Sequence, residues 1–341
     1  MINILKELPK IELHCHLDGS VRPETMFELL SEKEELSYKG FKEFEALVKV
    51  KDECNSLVEY LKKFKYPLKI MQSQENIERI TYELLEDLNM QNVKYVEMRF
   101  APFLHTREGL TFDEVVKSVL RGMEGAKKDF GIISNAILIC MRDESVDESI
   151  KVVEYGAKYI GKGVVAVDLA GNEKDFPPEL HEEAFKLAFQ KGYNITIHAG
   201  ETGIEENIPK SIELLHAQRI GHGIAAAKDP KIMELLKEKN IFLEMCPISN
   251  LQTKAVESIE DYPIRNFMEK GLKITVNTDN TTVSNTSLEK EYNFLIKKFN
   301  FNIEDILKLI DNSIEAAFLQ ESERIYLRKT IEDELITMEL I

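Results

Sequence analysis

The sequence predicts an α/β protein built as a (β/α)8 TIM barrel, and three observations carry that prediction. Eight short β-rich apolar runs alternate with amphipathic stretches, which is the pattern of successive βα units. From the third run onward the units recur every 22–32 residues or so, close to barrel spacing and preferred here over an open doubly wound sheet. Histidines and carboxylates gather at the ends of several runs, where barrel enzymes carry their active sites.

The predicted strands are Lys10–Leu17, Val93–Ala101, Ile133–Met141, Gly163–Ala170, Asn194–Ala199, Arg219–Gly223, Ile241–Cys246 and Leu272–Thr278. Helical stretches lie between them, for example Phe112–Phe130 and Pro177–Lys191, the latter opening on a proline suited to a first helical turn. A long helical insertion, about residues 20–92, separates the first two strands and contains the patterns Ser56–Lys63 and Glu75–Met90. After Asn285 a helical tail begins, with apolar positions at Leu288, Tyr292, Leu295 and Ile296. No Gly/Ser/Pro-rich linker breaks the series, so residues 1–341 are expected to form a single domain with an elaborated first connection.

With 341 residues and 43% hydrophobic content, the chain can bury a large core. Lys plus Arg is 44 against 60 for Asp plus Glu, a net charge of −16. That balance repels phosphate backbones and anionic lipid, so small-molecule chemistry is expected rather than nucleic-acid or membrane binding. The N-terminus lacks the pattern of a secretory signal, and no apolar run approaches the roughly 20 residues that span a bilayer. Cys15, Cys54, Cys140 and Cys246 are far apart and form no C-x-x-C pair, which argues against a disulfide framework and a zinc ribbon. The expected setting is cytoplasmic.

The first strand ends His14-Cys15-His16-Leu17-Asp18-Gly19. Side chains at i and i+2 share a face, so His14 and His16 point together and Cys15 points away. Alone, such a pair is either half a metal site or a structural pair. The fifth strand ends His198-Ala199-Gly200-Glu201, the sixth carries His222, and the eighth ends Thr278-Asp279-Asn280. In a closed barrel the eighth strand lies beside the first. Asp279 then approaches His14 and His16, and His198 faces them across the mouth. Three imidazoles and a carboxylate suit one zinc ion, which would lower the pKa of water towards neutrality. A carboxyl group buried at the same mouth, Glu201, has its pKa raised and can donate a proton to substrate. His222 can orient water, take its proton or stabilise developing charge. The alternative makes Glu201 a supporting partner and His222 a core histidine.

The segments HCHLDGSVRPET, DLAGNE, HAGE, RIGHG and NTDN occur in this order, and from about Lys10 to Ser322 the chain resembles the metal-dependent adenosine deaminase family. The resemblance implies that His14, His16, His198 and Asp279 bind one zinc. It further implies that Glu201 protonates a purine ring nitrogen and that His222 works with the activated water. The implied reaction is hydrolytic deamination of adenosine, and of 2′-deoxyadenosine, to inosine and ammonia in purine salvage. By the same resemblance the substrate-binding residues are His16, Asp18 near the ribose 5′-hydroxyl, and Gly171 through its backbone N–H. Asp18 would oppose a 5′-phosphate and so favour adenosine over AMP. The segment Ser56–Lys65 resembles the helix beside the substrate, where Leu57, Leu61 and Phe64 either form an apolar gate or pack onto the barrel. One departure is Asn280, where many members carry a second acidic residue; an Asn amide supplies a hydrogen-bond donor without needing a proton.

Deamination of free adenine or another 6-aminopurine would use the same metal site, and it is the alternative reading. The strand-one element Leu17-Asp18-Gly19 speaks against it, since sister adenine deaminases carry I-E-G there. A two-metal barrel hydrolase bridged by a strand-four lysine is disfavoured because Gly163–Gly171 contains no lysine. A binding protein that has lost catalysis is disfavoured because all six metal and catalytic candidates are present. His105, His181 and His216 are expected to be solvent-facing or structural. Cys246 is expected to pack in the core rather than graze the pocket, and Ser249-Asn250 after it either support the site by hydrogen bonds or play no part in it.

Overall fold

The computed structural model describes residues 2–33, 40–50, 56–256 and 258–341. Cys54 lies outside these residues. Eight strands run in chain order around one parallel sheet. They are β1 (Lys10–His16), β2 (Val93–Phe100), β3 (Ile133–Met141), β4 (Val164–Ala170), β5 (Asn194–Ala199), β6 (Arg219–His222), β7 (Phe242–Met245) and β8 (Ile274–Val276). The ring closes where Asp279 pairs with Cys15: the His16 N–H donates to the Asp279 carbonyl at 2.7 Å and the Asp279 N–H to the His14 carbonyl at 2.8 Å. The predicted (β/α)8 barrel is therefore the observed one.

Helices cover the outside. Phe112–Phe130 starts on a Thr111–Glu114 capping box and ends at Gly131, whose φ of 77° is a left-handed cap few other residues adopt. It packs against Gln74–Met90, whose N-cap Ser73 accepts from the Asn76 N–H. Within the insertion after β1, the described helices are Pro23–Glu32, Phe41–Val48, Leu57–Leu61, Lys65–Ile70 and Gln74–Met90. The tail supplies Leu288–Phe299, Ile303–Ala316 and Glu321–Thr337. In the first of these Leu288, Tyr292 and Leu295 are buried as their spacing predicted, and Ile296 is partly buried.

Two elements differ from expectation. The stretch 177–191 opens as a 3-10 turn over Pro178–His181 and becomes α-helical only at Glu182. A proline before Pro178 is held extended, which delays the regular helix. A further helix, over Ile2–Glu7, precedes β1. Lys10 closes its end by donating to the Lys6, Leu8 and Gln91 carbonyls at 3.0, 2.7 and 2.7 Å.

The inner face of the sheet is charged rather than apolar. Arg99 and Arg219 lie there among Glu97, Asp168 and Glu244, all essentially inaccessible to solvent. Arg99 donates to Asp168 Oδ2 and Glu244 Oε2 at 2.8 Å each and to the Leu13 carbonyl at 2.7 Å. Arg219 pairs with Glu97 at 2.6 Å and with Glu244 at 2.7 Å. Two fixed cations thus face three carboxylates, which leaves the layer beneath the mouth electron-rich.

Candidate active site

A cavity of about 290 Å³ opens at the C-terminal ends of the strands. Its wall includes His16, Asp18, Leu57, Leu61, Phe64, Gly171, His198, Glu201, His222, Asp279 and Asn280. Every substrate-binding and catalytic residue singled out in the sequence faces this one space. His14 lies behind this wall, fully buried, with its Nε2 3.5 Å from Asp279 Oδ1.

The imidazoles are oriented from below. Burial alone would raise the Glu244 carboxyl, but Arg99 and Arg219 beside it hold it well below the ordinary range. It therefore accepts the His14 Nδ1–H at 2.7 Å. Asp168, held down in the same way against burial by His198 and Arg99, accepts the His198 Nδ1–H at 3.0 Å. Both rings then turn bare Nε2 lone pairs towards the cavity. His14 Nε2 has no hydrogen-bond partner although it is buried. His198 Nε2 lies 3.2 Å from His16 Nε2. Asp279 Oδ1 lies 3.3 Å from His16 Nε2 and 3.5 Å from His14 Nε2. Lone pairs and an anionic oxygen crowded this closely repel one another unless a cation sits among them, so the donor set fits a metal ion. A second grouping has His222 in place of His16: one ligand atom each from His14, His198, His222 and Asp279 falls within 4.8 Å of the others.

Two backbone features hold these groups. His222 and Asp279 adopt φ of 62° and 60°, left-handed conformations that non-glycine residues hold at a cost and that cluster at functional sites. Gly19 has no Cβ because one would lie 1.6 Å from the Asn280 amide oxygen. Asn280 is thereby packed flat against the turn after β1, and its Oδ1 is buried without a partner.

Glu201 Oε2 lies 3.7 Å from His222 Nε2. Burial, with the Asp279 charge adding to it, pushes the Glu201 carboxyl up to about 8, so it is neutral at neutral pH. Burial pushes His222 well down, so its ring is neutral too. Its tautomer follows from Asn250. The Asn250 Oδ1 accepts from the Cys246 N–H at 3.3 Å and the Tyr262 hydroxyl at 3.1 Å. The Nδ2 end must then donate to His222 Nδ1 at 2.8 Å, which leaves the ring proton on Nε2, facing Glu201. Ser249 donates to Asp279 Oδ2 at 2.5 Å. The Ser249-Asn250 pair thus supports both Asp279 and His222.

Some residues that shape the site were not singled out in the sequence. Arg99 alternates with Tyr95 and Glu97 along β2, a period-2 signal that could have exposed it, and Asp168 and Glu244 are single charges in otherwise apolar strands. Tyr60 is buried and hydrogen-bonds Ser284 at 2.6 Å. It anchors the short helix whose Leu57 and Leu61, together with Phe64, line the cavity. Arg142, also fully buried, donates to the His198 carbonyl at 2.5 Å. Burial pushes the Asp18 carboxyl up to about 7, so the charge expected to repel a phosphate is only partly present at neutral pH. The remaining histidines stay outside: His105 and His181 are buried elsewhere, and His216 stacks on Phe189. Cys246 is buried and absent from the cavity wall.

Residues 9–334 match the family model described as Adenosine deaminase. The chain belongs to the adenosine deaminase family. An adenosine deaminase from Clostridium kluyveri is 53% identical over 321 residues, covering 94% of this chain and 92% of that protein. Among solved structures, an amidohydrolase from Burkhoderia ambifaria with bound Zn superposes with a TM-score of 0.90 at 26% identity, over 99% of this chain and 93% of that one. An adenine deaminase from Arthrobacter aurescens superposes with a TM-score of 0.88 at 25% identity, over 96% and 98% of the two chains.

Proposed function

We propose that this chain is a zinc-dependent adenosine deaminase, converting adenosine and 2′-deoxyadenosine to inosine and ammonia, and that it acts as one cytoplasmic domain in purine salvage. The observation that carries the reading is the meeting, in one cavity, of an electron-rich His/Asp cluster and the neutral carboxyl of Glu201. His14, His16, His198 and Asp279 are the ligands. His222 is left out of that set because its Nε2 bears a proton, and it turns towards Glu201 instead. Zinc is favoured by the three-imidazole, one-carboxylate donor set and by the zinc-bearing structural relative. When bound, the ion supplies the Lewis acidity that lets water attack at neutral pH.

The chain's own groups then divide the work. Glu201 holds a proton at neutral pH and gives it to a purine ring nitrogen, which makes the amino-bearing carbon electrophilic. His222 donates from Nε2 to the attacking oxygen and steadies charge as it develops; with that nitrogen already protonated, it orients rather than deprotonates. Glu201, ionised once its proton is on the ring, takes up the protons that the water gives up and passes one to the amino group, which leaves as ammonia, so that Glu201 ends protonated again. Asn280 and the Gly171 backbone hold the purine, Asp18 reads the ribose, and Leu57, Leu61 and Phe64 exclude water from above. Adenosine is favoured over free adenine because the Clostridium kluyveri relative, at 53% identity, is an adenosine deaminase, whereas the adenine deaminase is only 25% identical. Glu201→Gln tests the assignment. Its metal content stays at the wild-type level while kcat falls at least ~100-fold, the scale of general acid catalysis; near-normal turnover in that variant removes Glu201 from the role.

A further inference from the structure

We propose that Glu173 is a positioning residue for the reaction, its carboxylate clamping the backbone on both sides of Glu201. The inference rests on the role given to Glu201 above. Glu173 stands in the loop after β4 and is buried. Its Oε2 accepts the Gly200 N–H at 2.9 Å and its Oε1 accepts the Thr202 N–H at 2.6 Å. These are the residues immediately before and after Glu201. The Thr202 hydroxyl adds a bond to Oε1 at 3.1 Å, and the Asn207 amide adds one to Oε2 at 3.0 Å. Four donors thus occupy the acceptor sites of one carboxylate.

The segment needs such a fastening. Between β5 and the helix Asn207–Glu213 the chain has no regular structure, and Gly200 and Gly203 take φ of 72° and 86°. The Gly200 carbonyl accepts the Ala225 N–H at 2.9 Å, and no helix or ladder takes up the amides on either side of Glu201. Fixing the N–H groups at positions 200 and 202 confines the φ and ψ of the residue between them. Asn207 carries the same fastening to the start of the next helix. Bonds from backbone N–H to a carboxylate are charge-assisted and about twice as strong as neutral ones. The result is that the Cα–Cβ direction of Glu201, from which its carboxyl must reach a ring nitrogen in the cavity, is held fixed. A shift of about 1 Å in such a group can cost on the order of 100-fold in rate.

Glu173→Gln separates positioning from simple loop support. The amide has the same size but turns an NH2 towards one of the backbone donors, which opens one side of the clamp. In the zinc-loaded protein kcat for adenosine falls about 10- to 100-fold, while KM and metal content stay at wild-type values. Wild-type kcat in this variant overturns the proposal, and so does a loss confined to KM or accompanied by loss of metal. Amide exchange in the unmodified protein reads the clamp without any variant. The Gly200 and Thr202 amides exchange slowly; exchange of both at the rate of an unstructured peptide overturns the proposal. If the wild-type protein leaves adenosine untouched, the functional reading fails while the exchange measurement still decides the clamp.

Discussion

At the scale of single residues, Glu201 owes its proton to where it is buried. Its carboxyl is raised to about 8 by burial first and the Asp279 charge second. A raised carboxyl is protonated below its pKa, so the donor form dominates at neutral pH and is lost as pH rises through about 8. A profile of kcat against pH therefore falls on its alkaline side near 8, and a kcat that stays flat to about pH 10 contradicts the assignment. The strand-end residues His14, His16, His198, Glu201, His222 and Asp279 were legible because i, i+2 spacing and barrel closure together dictate where they point. What the sequence did not reveal is the proton on His222. It depends on Asn250, 28 residues away, whose amide is turned by Cys246 and Tyr262. Nothing in the local sequence signals the left-handed backbone at His222 and Asp279.

At the scale of elements, the strands do more than present side chains at their ends. Arg99 on β2 ties Asp168 on β4 to Glu244 on β7, and each carboxylate fixes one imidazole. The alternation Tyr95-Glu97-Arg99 places Arg99 on the inner face, whereas Asp168 and Glu244 are single charges in otherwise apolar strands, with no periodic pattern to mark them. The end of β8 was less legible. Its pairing with β7 stops at Val276, and residues up to Asp279 turn to meet β1 instead. The short helix Leu57–Leu61 presents a gate or a packing face from sequence alone, because its apolar spacing suits both. In the structure Tyr60 does the packing, while Leu61 remains 37% exposed at the cavity. Leu61→Ser accordingly raises KM for adenosine about 5-fold, the equivalent of about 1 kcal/mol of apolar contact, and leaves Tm within a degree or two. A lowered Tm with unchanged KM would instead make this helix a packing element.

At the scale of the whole molecule, the barrel gathers residues spread from His14 to Asn280 into one cavity, and the insertion after β1 roofs it. No helix among the described residues is long and apolar enough to cross a membrane. With a net charge of −16, the long-range field disfavours anionic ligands, and Asp18, only partly ionised at neutral pH, adds a smaller local penalty against a phosphate at the ribose end. Both point to an unphosphorylated nucleoside. The measurement that tests this account most directly is an ultraviolet assay of purified, zinc-loaded protein with adenosine, adenine and AMP side by side, following conversion to the 6-oxo purine. Rapid loss of adenosine with little change in adenine or AMP is the expected result. Preference for adenine or AMP, or inertness towards all three in protein that holds its zinc, would contradict it.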